Sequence, residues 1–338
     1  VNRHIGETLA ILAIALAIPS LFVLFAGKNP VATWATLVSY TLGTWHGFSE
    51  VLVNATPLTL LGLGIVVAFR AGIFNIGGDG QLICGAVMAV AMAGFAAPLG
   101  PLGLPVFLLL GFAGGAAIGA LVGWLRARFG ANEIIVTIML NYVALQVLTW
   151  VIRGPLQEPM RIFPRSYRIA DNLFLPALVD GARLHAGLFV ALAATVAVYL
   201  LVRHTVFGFR LDVLGRNAQA APFAGIRAGR VAVLAMLVSG GLAGLAGAVE
   251  IAGLHQKLED NFAAGYGLAA IAVALMARLN PAFVPLAALL FGVFEVGAGV
   301  LQRQLAIPFP LVWIIQGTVI LAYLALDWSA RRRQAVAA

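Results

Sequence analysis

Charge is scarce in this chain. Of its 338 residues only 10% are charged and 62% are hydrophobic, and mean hydropathy is +1.00. Soluble domains carry roughly 25% charged residues, so an ordinary soluble fold is excluded. Cysteine occurs once, at Cys84 in an apolar stretch, which rules out an intrachain disulfide and a thiol metal site and leaves the redox compartment unread. Lysine is almost absent too. Lys28 and Lys257 are the only two, and neither follows Gly-x-x-x-x-Gly with Ser or Thr after it, so ATP has no phosphate loop to bind. There is no His-Glu-x-x-His, no Gly-x-Ser-x-Gly and no Cys/His cluster, and the five histidines are scattered. The chain therefore reads as neither an enzyme nor a metal protein, and any active transport must draw on a partner or an ion gradient.

What is present is a series of long apolar runs bounded by charge, Pro or Gly. They fall at about 5–27, 51–69, 80–98, 104–125, 134–152, 185–202, 231–252, 265–279, 283–302 and 309–327. A spanning helix needs about 20 apolar residues, and backbone polar groups in lipid must be satisfied within the segment. The expectation is an all-α polytopic membrane protein with about ten transmembrane helices, and the unbroken runs exclude a β-barrel. The first run exceeds the apolar core of a signal peptide and is expected to stay as the first span. The stretch 31–48, with Trp34, Tyr40 and Trp45, reads as an interfacial helix or an extra span.

The net charge of +8 comes from arginines between apolar runs, where they anchor topology and meet anionic membrane lipid; nucleic acid is not expected as a partner. With the N-terminus inside, thirteen of the 21 Lys and Arg fall on the inner side, from Arg3 through Arg70, Arg126, Arg128, Arg203, Arg210, Arg216, Arg227, Arg230 and Arg278 to Arg331–Arg333. That bias predicts an N-in, C-in chain.

Two segments are too long and polar to be hairpins. Residues 153–184, outside, hold five arginines with Glu158, Asp171 and Asp180, and read as a docking surface for an external protein or as a plain surface loop. Residues 204–230, inside, predict a short helix capped at Asn217 and ending near Gly225. Gly111, Gly115, Gly119 and Gly123 recur at four-residue spacing, a face on which another helix can approach closely, and Gly240, Gly244 and Gly247 repeat the pattern.

Between two apolar runs, Gly72, Gly77, Gly78 and Gly80 surround Asn75, Asp79 and Gln81. Glycine at that density predicts a broken helix near 70–81, which would expose backbone groups as transporters do at their solute sites, or else a tight inner turn. Further polar groups inside apolar runs are Asn141, Gln146, Glu250, Glu295 and Gln316. A carboxylate in lipid is costly, so Glu295 should face protein or a water-filled path, as a structural partner or as part of the pathway. Asn132-Glu133 reads as a helix N-cap with a dipole-favoured acid. Phe74 and Tyr142 offer aromatic faces for stacking or for core packing.

Three segments together resemble the permease subunits of ABC importers of the branched-chain amino acid and simple-sugar class, nearest the nucleoside importers. They are Phe69-Arg-Ala-Gly-Ile-Phe-Asn-Ile-Gly-Gly-Asp-Gly-Gln-Leu, Asn132-Glu-Ile-Ile-Val-Thr-Ile-Met-Leu-Asn-Tyr-Val-Ala, and Gly265-Tyr-Gly-Leu-Ala-Ala-Ile-Ala-Val-Ala-Leu-Met-Ala-Arg-Leu-Asn-Pro. Family members usually show Ala-Glu where this chain has Gly78-Asp79, and Leu-Gly where it has Met276-Ala277. The resemblance runs from about Leu52 to Leu326. It implies one permease domain over 1–338 in the bacterial cytoplasmic membrane, paired with a second, different permease subunit. It also implies an ATP-binding subunit that holds the ATP and Mg, and an external solute-binding protein or lipoprotein. This chain would bind no cofactor and no metal.

The polar break, the polar groups inside apolar runs and the nearby aromatic faces together put Phe74, Asn75, Asp79, Gln81, Asn141, Tyr142 and Glu295 along the expected solute pathway. The resemblance likens the segment Leu214 to Ile226 to the coupling helix that docks on the ATPase, through Gly215, Asn217, Ala220, Ala221, Gly225 and Ile226. Within the family a sugar, a vitamin or an amino acid is the alternative cargo. An ion-gradient-driven transporter using Glu250 and Glu295 is the alternative of another class.

Overall fold

The computed structural model describes residues 17–25, 27–219, 221–260, 262, 265–305, 314, 317–318, 321–322 and 325. The expected first and last runs, 5–27 and 309–327, lie mostly outside the described residues, as do Gln316 and Arg331–Arg333. Among those described the chain is helical, with three isolated β-bridges and no strand. Its α-helices are α1 (Ala17–Phe25), α2 (Pro30–Thr41), α3 (Trp45–Arg70), α4 (Gly78–Ala91), α5 (Ala93–Ala96), α6 (Gly103–Phe129), α7 (Glu133–Ile152), α8 (Gly187–His204), α9 (Val206–Arg216), α10 (Ala228–Glu250), α11 (Tyr266–Met276) and α12 (Val284–Leu305).

Six of these helical stretches are long and apolar enough to cross a membrane, and α1 with α2, bent by 112°, makes a seventh if taken as one span. The expected spans at 80–98 and 265–279 are instead short helices. α4 has 14 residues and α11 has 11, about 21 and 16 Å at 1.5 Å per residue, against a hydrocarbon core of about 30 Å. Hydropathy could not see this, because the apolar runs continue past the helix ends, across the break at Met92 into α5 and through the turn at 277–279.

The chain divides into two compact units, Val1–Asn54 with Leu289–Ala338, and Ala55–Ala288. In the first, Asn29 starts α2 by accepting from the backbone N–H of Val31 at 2.9 Å and of Ala32 at 3.4 Å. Pro30 follows at a position where its missing N–H has no helical partner anyway. Val23, Leu37, Phe294, Ala298 and Leu301 form its apolar core. Trp34 packs against that core and donates to Ser20 Oγ at 3.0 Å. At 12 residues α2 is too short to span alone.

The second unit is built on α4, α6 and α10. The glycines of α6 meet those of α10. A Cβ at Gly115 would lie 2.6 Å from the Gly244 nitrogen, one at Gly123 would lie 2.7 Å from Val233 Cα, and ones at Gly111 and Gly119 would strike Ala248 and the Met236 carbonyl. Where lipid removes the hydrophobic drive, such backbone approach supplies dispersion contact instead. α4 joins the seam through Gly85, against Gly244 and Gly111.

Residues 153–184 are stitched to the segment after α10. Ser166 N–H donates to the Leu258 carbonyl at 2.9 Å, Ile169 N–H to that of Gln256 at 3.0 Å and Leu175 N–H to that of Ala252 at 2.9 Å. The Tyr167 hydroxyl donates to the Val90 carbonyl at the end of α4 at 2.8 Å, and burial raises its pKa above the usual phenol value. Arg165 pairs with Glu158 and holds that carboxyl below the usual carboxylate range.

Candidate functional site

α3 ends where Gly72 takes φ +70° and the Ile73 N–H turns back to the Ala68 carbonyl at 3.1 Å, a left-handed helix termination. Helix resumes only at Gly78, so residues 71–77 expose backbone groups that need partners inside the protein. The predicted amides supply them. Asn75 Oδ1 accepts from the Gly77 N–H at 3.0 Å and from Gln81 Nε2 at 3.1 Å, while its Nδ2 donates to Gln81 Oε1 and Ser239 Oγ, both at 2.8 Å. From α7, Asn141 Oδ1 accepts from the Gly80 N–H at 2.9 Å and its Nδ2 donates to the Ile76 carbonyl at 3.0 Å. Asn75 and Gln81 are buried.

A second discontinuity faces the first. α10 runs into one π-helical turn, Ile251–His255, then leaves helix until α11 begins after Gly265 at φ +91°. The N-termini of α4 and α11 meet: Asp79 Oδ1 accepts from the Gly267 N–H at 2.7 Å, so a carboxylate on one helix caps the other. A Cβ at Gly78 would stand 2.9 Å from Gly267 Cα, and one at Gly267 would stand 2.7 Å from the Asp79 nitrogen. Neither position has room for a side chain.

Phe74 and Tyr142 lie at the edge of this arrangement and are exposed by 52% and 64%. Phe74 meets Phe69 edge-on at 5.1 Å, and Tyr142 lines a shallow groove of about 390 Å³ with Val143, Gln146, Val147 and Trp150. Glu295 belongs to the other compact unit. Glu250 ends α10, fully buried, with a carboxylate oxygen 3.7 Å from His255 Nε2.

Several residues at the break were not anticipated. Ser239 and Gly267 come from distant helices. Asn132 caps α7 as expected, accepting from the Ile134 N–H at 2.9 Å, but Glu133 does more than face a helix dipole. It is buried, pairs with Arg126 and accepts from the Phe74 N–H at 3.4 Å. A polar residue inside an apolar run was the available signal for Ser239; nothing local marked Gly267.

Thr205 caps α9 by accepting from the Gly208 N–H at 3.2 Å. Asn217 was expected to start a helix and instead terminates α9, its Oδ1 accepting from the Gln219 N–H at 3.0 Å in a local turn. Only one 3₁₀ turn follows, Ala221–Ala224, ended by Gly225 at φ +70°. The apolar spacing needed for a full helix had already been used in α9. Ala221 and Ile226 are buried roots of this turn and Phe223 is 95% exposed at its tip. Ala220 lies outside the described residues.

Discontinuous helices meeting inside a helical bundle are the architecture of membrane transporters. The family comparison agrees: the chain belongs to the family of branched-chain amino acid transport system permease components, whose model matches residues 47–324. It is 37% identical to a glucose ABC transporter permease protein of Haloferax volcanii, over 96% of this chain and 88% of that one. It is 33% identical to a guanosine ABC transporter permease protein of Bacillus subtilis, over 97% and 95%. A nucleoside ABC transporter permease protein of Lactococcus lactis is 31% identical, over 94% and 90%. With six helices able to cross a bilayer, this is a multi-pass protein of the cytoplasmic membrane.

Proposed function

We propose that this chain is the membrane-spanning subunit of an ATP-driven importer of nucleosides. The observation that carries the reading is near full-length similarity to permeases named for guanosine and nucleosides. The chain itself binds no cofactor; ATP and Mg sit on a partner ATP-binding subunit. A second, different permease subunit completes the pathway as a heterodimer, and an external solute-binding protein or lipoprotein docks on 153–184. Both chain ends lie inside, with Arg70, Arg126, Arg128, Arg203, Arg210, Arg216, Arg227, Arg230 and Arg278 on that side. Labelling of single cysteines placed in 153–184 and 204–230, in a Cys84→Ser background, tests the topology; equal access from outside would overturn it.

The solute passes beside the break. Asn75, Gln81 and Asn141 hold its wall, Asp79 fixes the helix junction, and the exposed rings of Phe74 and Tyr142 stack on a flat base. Glu295 is proposed as a further pathway residue. On the inner side the 3₁₀ turn meets the ATPase, with Phe223 as its apolar contact. Gly225→Arg tests this: a Cβ there meets nothing within 4 Å, so the change adds charge without a steric clash, at the cost of about 1–2 kcal/mol for holding a side chain at φ +70°. Uptake should fall at least about tenfold, a typical size for lost coupling between sites, with normal amounts of protein in the membrane. Normal uptake by that variant overturns the assignment of the turn.

Labelled purine and pyrimidine nucleosides should enter cells that carry this gene and not cells that lack it, and inactivating the partner ATPase should give the same loss. A second reading, import of a hexose, is favoured by the 37% identity to the glucose permease. Uptake of glucose but not guanosine would select it. Uptake that survives loss of the ATPase and collapses with an uncoupler would replace both readings with an ion-driven transporter.

A further inference from the structure

Arg70 is the last residue of α3, at the mouth of the break, and its guanidinium holds two other segments at once. Nε donates to Asp212 Oδ1 at 2.8 Å and Nη2 to Asp212 Oδ2 at 2.7 Å, a two-pronged pair with the middle of α9. Nη1 donates to the Leu279 carbonyl at 3.2 Å, in the turn that ends α11. In that turn Arg278 and Leu279 both take left-handed backbone, φ 51° and 52°, which non-glycine residues adopt only when their surroundings hold them there. Backbones close the same junction: a Cβ at Gly72 would lie 3.3 Å from Gly215 Cα, and one at Gly215 would strike the Arg70 carbonyl.

Taken with the Asp79 to Gly267 bond, these contacts make a closed loop. α9 is tied through Arg70 to the end of α3 and to the end of α11. The starts of α4 and α11 are tied to each other. A shift of α9 therefore cannot be absorbed at its own ends; it must move the 71–77 segment and the 277–280 turn together.

We propose that Arg70 and Asp212 are positioning residues that relay movement of the inner loop to the 71–77 break and to the 277–280 turn, so that ATP turnover and opening of the solute path stay coupled. The proposal rests on reading 204–230 as the ATPase-facing segment. Lysine cannot replace Arg70, because one ammonium cannot fork onto Asp212 and also reach Leu279.

The test uses the complete transporter in nanodiscs and reads backbone hydrogen exchange with and without ATP plus vanadate, which needs no knowledge of the cargo. In wild type, protection should change in α9, in 71–77 and in 277–280. In Asp212→Asn and Arg70→Lys the change should stay in α9. In proteoliposomes supplied with the solute-binding protein and either labelled guanosine or labelled glucose, ATP hydrolysis should persist while solute moved per ATP falls about tenfold. Arg70→Gln should behave alike. If it does not assemble, the two milder variants carry the test. Exchange that changes in 71–77 and 277–280 in Asp212→Asn as in wild type, or an unaltered ratio of solute to ATP, overturns the relay. No exchange change in α9 of the wild type, together with ATPase association untouched by Gly225→Arg, overturns the reading of the loop instead.

Discussion

The seam between α6 and α10 and the break between α3 and α4 solve one problem in opposite ways. Both bring backbone close to backbone inside an apolar bundle. The seam does it by having no side chains, with Gly111, Gly115, Gly119 and Gly123 facing Val233, Met236, Gly240, Gly244 and Ala248. The break does it with polar side chains, Asn75, Gln81, Asn141 and Ser239, each bonded to freed backbone groups or to one another. The seam needs only volume to be absent, so a short repeat can encode it. The break needs donors and acceptors from three helices at correct distances. Hydrogen bonds of this kind can be exchanged for others, whereas helices interlocked through their backbones clash if they slide.

Filling the seam should have the largest effect. A Cβ at Gly119 already strikes the Met236 carbonyl, so Gly119→Leu must push two helices apart, costing about 3 kcal/mol or more. The expected outcome is loss of folded protein after mild detergent extraction, seen as aggregation in gel filtration. A normal elution profile would mean that the seam is looser than its geometry requires.

Asn75→Ala probes the other side of the comparison. It strands the Gly77 N–H and both ends of the Gln81 amide where no water reaches, at about 1–3 kcal/mol for each orphaned group. Thermal unfolding in detergent should shift down while the protein stays monodisperse, and uptake should fall further than stability. If the midpoint is unchanged, the amide cluster does not hold the break. Gly225→Arg is the converse case, with uptake lost and the unfolding midpoint lowered only by the strain of a side chain at φ +70°.

The smallest effect belongs to the 153–184 loop, where water can replace a lost partner. Because Arg165 lowers the Glu158 pKa, the pair stabilises the loop above the usual carboxylate range and loses that contribution as pH falls through the lowered value. Glu158→Gln should be slightly less stable than wild type at neutral pH and indistinguishable from it in acid, as followed by proteolysis within 153–184. A deficit that widens as pH falls would contradict the pairing.

What could be read early was local. The α6 ladder and the Asn132 cap depend on spacings of two to four residues, and helix geometry fixes what such spacings mean. The glycines of 72–80 marked the break for the same reason. Sequence reading missed the short lengths of α4 and α11, since hydropathy scores composition and both runs stay apolar where helix has ended. It also read Asn217 as a beginning when it is an end: a single Asn favours either terminus, and only the neighbouring turn of α9 decides.

By itself the sequence determined the medium, the helical class and the position of the break, because apolar length and glycine density are properties of the chain alone. Only the tertiary structure decided what the polar residues do. The Asn75 bond to Ser239 crosses 164 residues, the Arg70 bond to Asp212 crosses 142 and the Asp79 bond to Gly267 crosses 188. No local pattern encodes a partner so far along the chain. Packing of the helices brings each donor within about 3 Å of its acceptor, and that proximity gives the residue its role.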